Sequence, residues 1–539
     1  MSAPDDRTPA DSPTVCVVGA GLAGALVADA LAGRGREVAL LDAGPTVDRD
    51  SRYERMQRQL RPGTTAAEIW GMDGERDAYT AAGAGAWPVN ERRVKGVGGT
   101  TLNWLGVTPR FRPSTFETAT RHGVGRDWPI SYADLRPYYA EAEQELCVAG
   151  NADAPFQPPR ETAYPQPPLE RSHSDELFAA AGEELAVPVH SLPVARGPDS
   201  ERRDRRPDGG APSRRVRPPE ATYSADTHVE RAVASGARLI DRAAVERLEH
   251  GPDGERVTAA VYRTPDGARH RQDADVFVAA CGTIETPRLL LLSDSPQYPD
   301  GLGNSSGVVG RYLMGQPPAT VLGVLDEPTK QREVGSPTTG SYQFAAPEAD
   351  RAGFALTCLN NAGETPAELA LREESWGDRL LEEVQFHHGN TVGLSIRVGS
   401  LPRAANRVTL DETTTDDRGD PVPDVQFSPG PFAARAQEAA IALGTDLVEA
   451  LDGAVVYADG TTTTDELPPA ARGGHYAVGG TRMGTDPETS VVDPTCRSHD
   501  LKNLYVAGGS PFVTSGAVPP ALTIAALALR TADHVDGRL

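Results

Sequence analysis

The sequence predicts an α/β fold in which a parallel sheet flanked by helices is joined to a region of antiparallel strands. Three features of the 539-residue chain carry this prediction. Residues 15–44 have the order strand, glycine turn, helix and strand, which is the pattern of one βαβ unit. The same order of apolar strand, glycine turn and helix is found again near residue 276 and in the C-terminal region. Residues 317–428 instead alternate short strands with turns, which is typical of an antiparallel sheet with exposed hairpins.

The first βαβ unit has the pattern of a dinucleotide-binding site. Its apolar strand runs into GAGLAG, where Gly19 permits a tight turn, Gly21 lets the backbone approach a pyrophosphate and Gly24 lets the helix pack on the strand. The second strand ends at Asp42, whose carboxylate can accept hydrogen bonds from a ribose 2′-OH and disfavours a 2′-phosphate. This unit alone does not separate FAD from NAD.

A second glycine-rich segment, KGVGGTTLNW at 95–104, contains Thr100, Thr101 and Asn103. Glycines and small hydroxyl side chains in a row let a backbone lie flat against a large planar or phosphorylated ligand. A plain glycine turn is the alternative interpretation. Residues 45–90, which precede this segment, carry no motif that we can interpret.

The middle of the chain predicts helices and short strands. Ser131 is a predicted helix cap, and the helix it begins runs to about residue 148. A helix ending at Ala234 precedes a β-meander, a buried strand ending at Gly282 and a helix that begins at Thr283. Another helix is predicted near 430–452.

The arginine-rich stretch 196–217 carries eight arginines and four acids among glycine, proline and serine. A patch for an acidic partner is one interpretation, but a solvated loop is the favoured one.

In the C-terminal region a strand runs from Leu504 to the glycine pair Gly508-Gly509. Pro519 and Pro520 then precede a helix predicted from Ala521 onward, since proline suits the first helical turn.

The composition predicts an acidic protein adapted to high salt. The chain has 53 basic and 76 acidic residues, a net charge of −23 and only three lysines. An acidic, self-repelling surface with almost no lysine is typical of extreme halophiles, although a high-GC genome is an alternative origin of the bias. The negative electrostatic potential of such a surface argues against binding to nucleic acid or to an anionic membrane.

The five cysteines contain no CxxC pair, so neither a disulfide framework nor a metal site is indicated. The polar N-terminus lacks a signal segment, and no apolar run approaches the length of a membrane span. We expect a cytoplasmic protein.

Several segments together resemble the glucose-methanol-choline (GMC) oxidoreductases, which bind FAD. They are GAGLAG with Asp42, KGVGGTTLNW, DWPISYADLRPYY, ACGTIETPRLLLLS, LGNSSGVVGRYLM, NRVTL, GGTRMGTDP and NLYVAGGSPFVTSGAVPPALTIAALALR. The resemblance covers nearly the whole chain and is strongest to gluconate-type and other sugar dehydrogenases and their haloarchaeal relatives. It disfavours an NAD-dependent enzyme.

The resemblance implies a fold of the p-hydroxybenzoate-hydroxylase type. A discontinuous, Rossmann-like FAD-binding domain is expected at 12–125, 226–315 and 471–539. An α+β substrate domain on an antiparallel sheet is expected at 126–225 and 316–470, with a flexible Arg/Pro-rich loop at 196–219. The FAD contacts implied are Gly19, Gly21, Leu22, Ala23, Gly24, Asp42, Gly98, Thr100, Thr101, Asn103, Val245, Gly282, Gly509, Ser510, Pro520 and Ala521.

The resemblance also implies the chemistry. A base removes a proton from an alcohol while a hydride passes to flavin N5. The positive end of the last helix would stabilise negative charge on the reduced flavin.

The chain departs from the family at the reactive end. The family's catalytic histidine falls at Tyr476, with His475 one place earlier, and the second position of the usual pair is Pro519. An imidazole suits a base near neutral pH, whereas an ordinary tyrosine ionises only at about pH 10. Gln316 stands where a histidine is frequent. The arginines of 202–217 replace a cysteine cluster, so an iron–sulfur site is not expected there.

Two hypotheses follow. The first is an FAD-dependent dehydrogenase acting on a CH–OH group of a sugar, sugar acid or other alcohol, with His475 and Tyr476 as candidate catalytic residues. The second is a flavin-binding homologue whose alcohol chemistry is lost or altered. The electron acceptor is not identified by the sequence, and a small partner subunit is one candidate.

Overall fold

The computed structural model describes residues 7–11, 13–58, 64–83, 89–197, 222–331, 337–372, 375–460 and 476–539. Two predictions fall outside these ranges. His475 is one, and the Arg/Pro-rich loop from residue 198 onward is the other.

The described strands are β1 (Val15–Val18), β2 (Val38–Leu41), β3 (Thr80–Ala82), β4 (His190–Ser191), β5 (Arg238–Ile240), β6 (Ala244–His250), β7 (Val257–Arg263), β8 (Arg269–Asp273), β9 (Val276–Ala279), β10 (Pro318–Val324), β11 (Thr339–Ser341), β12 (Phe354–Cys358), β13 (Thr391–Val398), β14 (Arg407–Thr415), β15 (Pro421–Gln426), β16 (Ala454–Asp459) and β17 (Leu504–Val506).

The described helices are α1 (Leu22–Gly33), α2 (Arg49–Arg58), α3 (Ala66–Trp70), α4 (Val89–Arg92), α5 (Pro113–Phe116), α6 (Thr118–His122), α7 (Tyr132–Glu145), α8 (His173–Glu184), α9 (Asp226–Ala234), α10 (Gly282–Leu292), α11 (Pro366–Arg372), α12 (Asp378–Asn390), α13 (Pro431–Glu449) and α14 (Ala521–Asp536), with a 3-10 turn at Gly99–Asn103.

A five-stranded parallel sheet with the order β17-β9-β1-β2-β5 forms the first core. Strands β1, β2, β9 and β17 are buried along their whole length, as their continuous apolar sequences require. Helix α1 packs against α9 and α14. The sheet therefore combines strands from three distant parts of the chain, and the predicted βαβ unit is confirmed.

The antiparallel β6-β7-β8 meander is also confirmed. Strands β5 and β6 belong to different sheets because the chain turns at Arg242, which has a positive φ of 50°. The turn is held to the parallel sheet by two hydrogen bonds, from Arg242 N to Gly44 O and from Ala243 N to Asp42 O.

The second core is a six-stranded antiparallel sheet with the order β16-β10-β13-β12-β11-β4. Helix α13 covers one face through its alanines and Leu447. A Cβ placed on Gly444 would lie 2.8 Å from the Val321 side chain, so glycine lets α13 lie close to β10. The alternate residues of β13, which include Ser395 and Arg397, point to the opposite face of the sheet.

The prediction of strands and turns throughout 317–428 is wrong at 366–390, where α11 and α12 form. Thr365 begins α11 as a capping box, since its Oγ1 accepts from Glu368 N and the Glu368 carboxylate accepts from Thr365 N. The sequence TPAE carried this signal. The β14–β15 hairpin in the same region is confirmed, and β3 pairs with β15 in parallel.

Candidate cofactor and substrate site

The glycine turn after β1 forms one wall of a large cavity. Gly19 has a φ of 102°, and a Cβ placed on it would lie 2.5 Å from Ala280 O. A Cβ on Gly24 would lie 1.8 Å from Gly19 O, so α1 packs directly on the turn. Gly21 is the N-cap residue of α1 and has no side chain to accept hydrogen bonds from the first turn. The first-turn N–H groups are therefore available to an anionic ligand.

Asp42 closes the same wall. Its Oδ2 accepts a hydrogen bond from Ala20 N at 2.8 Å and its Oδ1 accepts one from Gly44 N at 2.9 Å. The residue is 8% exposed. Burial raises the pKa of Asp42 to about 6, against the opposing effect of the two N–H donors. The carboxylate is thus fixed at the carboxyl end of β2, where the dinucleotide motif requires an acceptor.

The second glycine-rich segment lies across the turn. Gly98 N donates to Ala20 O at 2.9 Å, and a Cβ on Gly99 would lie 2.8 Å from Gly21 Cα. Thr101 Oγ1 donates to Gly98 O and accepts from Ala225 N, which ties the segment to the start of α9. The two glycine motifs are therefore in contact, although about eighty residues separate them.

The cavity has a volume of about 680 Å³. The predicted site residues that line it are Gly19, Gly21, Leu22, Ala23, Asp42, Thr100, Thr101, Asn103, Val245, Gly282, Tyr476, Gly509, Pro520 and Ala521. Three predicted contacts, Gly24, Gly98 and Ser510, do not line it. Gly24 and Gly98 instead support the turn through the packing and the hydrogen bond just described, and Ser510 is fully buried behind the wall.

Sequence reasoning missed a charged cluster at the cavity, in which Arg93, Lys95 and Glu285 line the wall and the buried Asp77 supports Lys95. Lys95 Nζ lies 3.2 Å from Glu285 Oε1 and 3.1 Å from Asp77 Oδ1, and Arg93 also pairs with Glu285. Burial on its own would raise the pKa of Glu285, but the neighbouring cations hold it well below its ordinary range. The signal in the sequence was RRVK, directly before the second glycine motif.

The run 477–484 is held between two other segments at the far end of the cavity. Met314 and Val478 exchange two backbone hydrogen bonds, and Gly479 N donates to Gly509 O. Gly479 has a φ of 89°, and a Cβ there would lie 2.3 Å from Tyr312 O. These contacts bring Tyr476 to the cavity wall, where the Arg397 guanidinium lies 5.7 Å from the centre of its ring.

The start of α14 reaches the same end. Pro520 and Ala521 line the cavity, whereas Pro519 is buried and does not. Gln316 holds the preceding loop, because its Nε2 donates to the carbonyl oxygens of Ser515, Gly516 and Val518 at 2.7–3.2 Å. The glutamine at this position therefore has a structural role in positioning the helix.

Asp29, Glu145 and His228 form a separate cluster outside the cavity, with their ligand atoms within 4.8 Å of one another. Arg231 lies 3.0 Å from Asp29 Oδ2 and 2.6 Å from Glu145 Oε2, and His228 Nδ1 lies 2.8 Å from Asp29 Oδ2. Because the guanidinium already neutralises both carboxylates, we interpret the cluster as an ion-pair network that links α1, α7 and α9.

Comparison with known proteins decides the family. Two profiles described as GMC oxidoreductase match residues 88–317 and 402–528. The fructose dehydrogenase large subunit of Gluconobacter japonicus is 31% identical over 97% of this chain and 98% of its own length. The chain belongs to the GMC oxidoreductase family. A second relative, the 2-methyl-1,2-propanediol dehydrogenase of Mycolicibacterium austroafricanum, is 30% identical and covers 98% of this chain and 96% of its own.

Solved GMC oxidoreductase folds confirm the predicted architecture. Pyridoxine 4-oxidase from Mesorbium loti has a TM-score of 0.65 at 18% identity, with 98% of this chain and 99% of that chain covered. A formate oxidase has a TM-score of 0.64 at 17% identity, with the same coverage. The fold thus combines an FAD-binding Rossmann-like domain with a sheet-containing substrate domain.

This GMC oxidoreductase is an FAD-dependent enzyme that acts on CH–OH donors. The cavity fits the cofactor, since an uncapped helix start, a fixed carboxylate and a close pair of glycine motifs converge on one space large enough for a dinucleotide. Within the described residues, none of the helices combines the length and the apolar character that crossing a bilayer requires.

Proposed function

We propose that this enzyme oxidises a CH–OH group of a sugar, a sugar acid or another alcohol. The observation that carries the proposal is one continuous cavity that runs from Asp42 to Tyr476. FAD, when bound, supplies a flavin that accepts the hydride at N5. The protein's own residues must therefore hold the cofactor at the Asp42 end, and bind the alcohol and accept its proton at the other.

The contacts with FAD that the sequence suggests belong to this proposal. Fourteen of the seventeen suggested residues that the structure describes line the cavity, including Tyr476. The partition into a discontinuous FAD-binding domain (12–125, 226–315 and 471–539) and a substrate domain (126–225 and 316–470) is also proposed. It is supported by the parallel sheet, whose strands come only from the first three ranges.

Two neighbouring residues, His475 and Tyr476, are the candidates for the base that accepts the alcohol proton. Tyr476 lines the cavity, and His475 precedes it in the chain. An imidazole at this end would accept the alcohol proton near neutral pH. We therefore propose His475 as the base and Tyr476 as a residue that contacts the substrate.

The test is anaerobic reduction of the purified flavoprotein. We expect at least one member of a panel of sugars, sugar acids and simple alcohols to bleach the flavin absorbance. His475→Ala should then slow bleaching by a factor of about 100 or more, whereas Tyr476→Phe should change substrate affinity more than rate. A full rate in His475→Ala would remove that residue from the mechanism.

The displaced residues favour one second candidate. Tyr476 and Pro519 stand where the family has its usual pair, so the protein could retain the flavin while its alcohol chemistry is lost or altered. A yellow protein that binds FAD stoichiometrically but is bleached by dithionite and by no alcohol would support this candidate. A colourless protein that does not take up FAD would contradict both.

The proposal also covers the electron acceptor and the working environment of the enzyme. One relative is a large subunit by name, which suggests a small partner subunit as the electron acceptor here. We also propose a cytoplasmic, halophilic enzyme from its composition. Rates of reoxidation with oxygen, a quinone analogue and ferricyanide would separate an oxidase from a dehydrogenase.

A further inference from the structure

Among the residues that the structure describes, Arg397 is a buried cation with no acidic partner. It lies on β13, is 7% exposed, and donates one long hydrogen bond of 3.5 Å to the carbonyl of Ile396. Its other contact is the ring of Tyr476. Nothing in the described chain places a carboxylate against it. Burying an unpaired charge costs free energy, so we expect Arg397 to have a function that offsets this cost.

Two of the other buried arginines that the structure describes pair with acids. Arg110 donates two hydrogen bonds to the Glu143 carboxylate, at 2.7 and 2.8 Å. Arg288 donates to Asp416 at 2.9 Å.

Arg482 is buried without an acid among the described residues, but it donates a short hydrogen bond of 2.5 Å to Thr489 O and lies 3.8 Å from the centre of the Tyr312 ring. Arg397 differs from all three, because in the described chain it has neither an acid nor a short hydrogen bond.

The placement of Arg397 is specified by strand alternation. Leu394, Ile396 and Val398 pack beneath α13 in the core of the substrate domain. Ser395 and Arg397 therefore point to the opposite face, and Arg397 lines the cavity. The guanidinium is directed toward the end of the cavity where Tyr476 lies.

A second arginine without an acid lies in the same region. Arg112 donates to the Tyr342 carbonyl at 2.6 Å and its guanidinium lies 5.5 Å from the centre of the Phe156 ring. Tyr342 is 4% exposed, and its hydroxyl has no hydrogen-bond partner among the described residues. Burial, together with the neighbouring Tyr164 and Tyr476, raises the pKa of Tyr342 well above its ordinary value. A second guanidinium and a protonated Tyr342 hydroxyl therefore lie near Tyr476, although only Arg397 and Tyr476 of this group line the cavity.

We propose that Arg397 binds a carboxylate of the substrate, so that the enzyme acts on hydroxy acids such as sugar acids rather than on neutral sugars. The inference rests on the proposed alcohol oxidation at this end of the cavity. A guanidinium pairs with a carboxylate through two parallel hydrogen bonds, which fixes orientation as well as affinity. Because the whole protein carries a charge of −23, a local cation is also needed to attract an anionic substrate.

The test compares pairs of similar ligands in which one member carries a carboxylate and the other is neutral. The anaerobic holoenzyme is titrated at constant ionic strength with D-gluconate against sorbitol and with acetate against acetamide. Dissociation constants are read from flavin difference spectra and checked by calorimetry. We expect the carboxylate of at least one pair to bind more tightly, and Arg397→Met to weaken that carboxylate by about 10- to 100-fold while sparing its neutral partner. Arg397→Lys should retain part of the preference.

The control is Arg351→Met. Arg351 also lies over an aromatic ring, 5.5 Å from the centre of Phe354, but Phe354 belongs to the core on the α13 side of the sheet. This variant should leave all four dissociation constants unchanged. FAD content and the thermal midpoint, measured for every variant, separate lost binding from lost folding, and Arg397→Lys keeps the test open if Arg397→Met does not fold.

Two results would overturn the inference. They are a wild-type enzyme without preference for either carboxylate and a preference that survives in Arg397→Met. In the second case, a changed flavin reduction potential in Arg397→Met would show that the cation serves the flavin. Carboxylate binding that depends on Arg397 without bleaching by any substrate would instead contradict the proposed function and leave this binding site standing.

Discussion

Gly24 is the position at which an added side chain would most directly disturb the glycine turn that we propose to bind FAD. A Cβ at this position would lie 1.8 Å from Gly19 O and 3.2 Å from the Ala280 side chain. We predict that Gly24→Ala lowers the free energy of unfolding by about 1–3 kcal/mol and lowers FAD occupancy, because α1 must move away from the turn. The ratio of flavin to protein absorbance and urea denaturation measure the two effects.

Gly33 provides the matched control in the same helix. It is exposed at the end of α1, and a Cβ there would meet nothing within 4 Å. Gly33→Ala should leave FAD occupancy unchanged and stabilise the protein by about 0.4–1 kcal/mol. Equal FAD occupancy in both variants would contradict the role given to Gly24.

The raised pKa of Asp42 predicts how the free energy of unfolding of the FAD-free protein changes with pH. Its folded-state pKa of about 6 lies above the ordinary value of 3.8, so the folded protein holds a proton that the unfolded chain has released. Stability from this group is therefore complete below about pH 4 and is lost as the pH rises to about 6. The Asp42→Asn variant cannot lose this contribution. Its free energy of unfolding, relative to that of the wild type, should therefore rise by up to about 3 kcal/mol between about pH 4 and about pH 6.

The measurement is urea denaturation of both apoproteins at several pH values. A difference between the two proteins that stays constant from about pH 4 to about pH 7 would show that the carboxyl is not perturbed. With FAD present, the same substitution should weaken cofactor binding, since an amide is a poorer acceptor for a ribose hydroxyl than a carboxylate.

At the scale of elements, Gln316 determines how α14 begins. Its amide donates to three carbonyl groups of the loop 515–518, and Gln316 is fully buried. We predict that Gln316→Met, which keeps the volume, costs about 1–3 kcal/mol because these carbonyl groups lose their donor. The variant should also bind FAD more weakly, as measured by release of FAD during dilution.

Gln437 is the comparison for this prediction. Its Nε2 also donates to two carbonyl groups, those of Pro318 and Gly460, but it lies half-buried on α13 away from the cavity. Gln437→Met should lower stability less and leave FAD release unchanged. Similar FAD release from both variants and wild type would mean that the loop before α14 is held by other contacts.

Local signals predicted most of the elements but not all of them. Ser131 begins α7 as expected, in a capping box with Asp134. Equivalent boxes at Thr65 and Thr365 were overlooked, because neither precedes a long apolar pattern. Short helices such as α3 and α11 depend on tertiary packing, so sequence periodicity does not find them.

At the scale of the whole molecule, net charge is the dominant property. Acidic residues exceed basic ones by 23, so repulsion between surface carboxylates opposes folding in dilute buffer. We predict that the free energy of unfolding rises from about 0.1 M to about 2 M KCl, because the screening length falls from about 10 Å to below about 3 Å. Thermal unfolding in a KCl series tests this prediction. A midpoint that does not rise with salt would favour genomic composition as the origin of the acidic bias.

The sequence by itself predicted the end of the cavity that we propose to hold FAD. Gly19, Gly21 and Asp42 lie within one βαβ unit, where backbone conformation and the register of adjacent parallel strands follow from residues close together in the chain. The family resemblance then predicted the sheet architecture, and FAD follows from family membership.

Only the tertiary structure decided what surrounds the other end. Arg397, Tyr476 and Gln316 come from distant segments, and nothing in the local sequence of Arg397 indicates whether an acid will lie beside it. Burial and pairing are properties of the packed sheet and loops. For this reason the residues near Asp42 could be proposed as FAD contacts from their motif, whereas the charge at the proposed substrate end depends on which side chains the fold brings together and which it leaves unpaired.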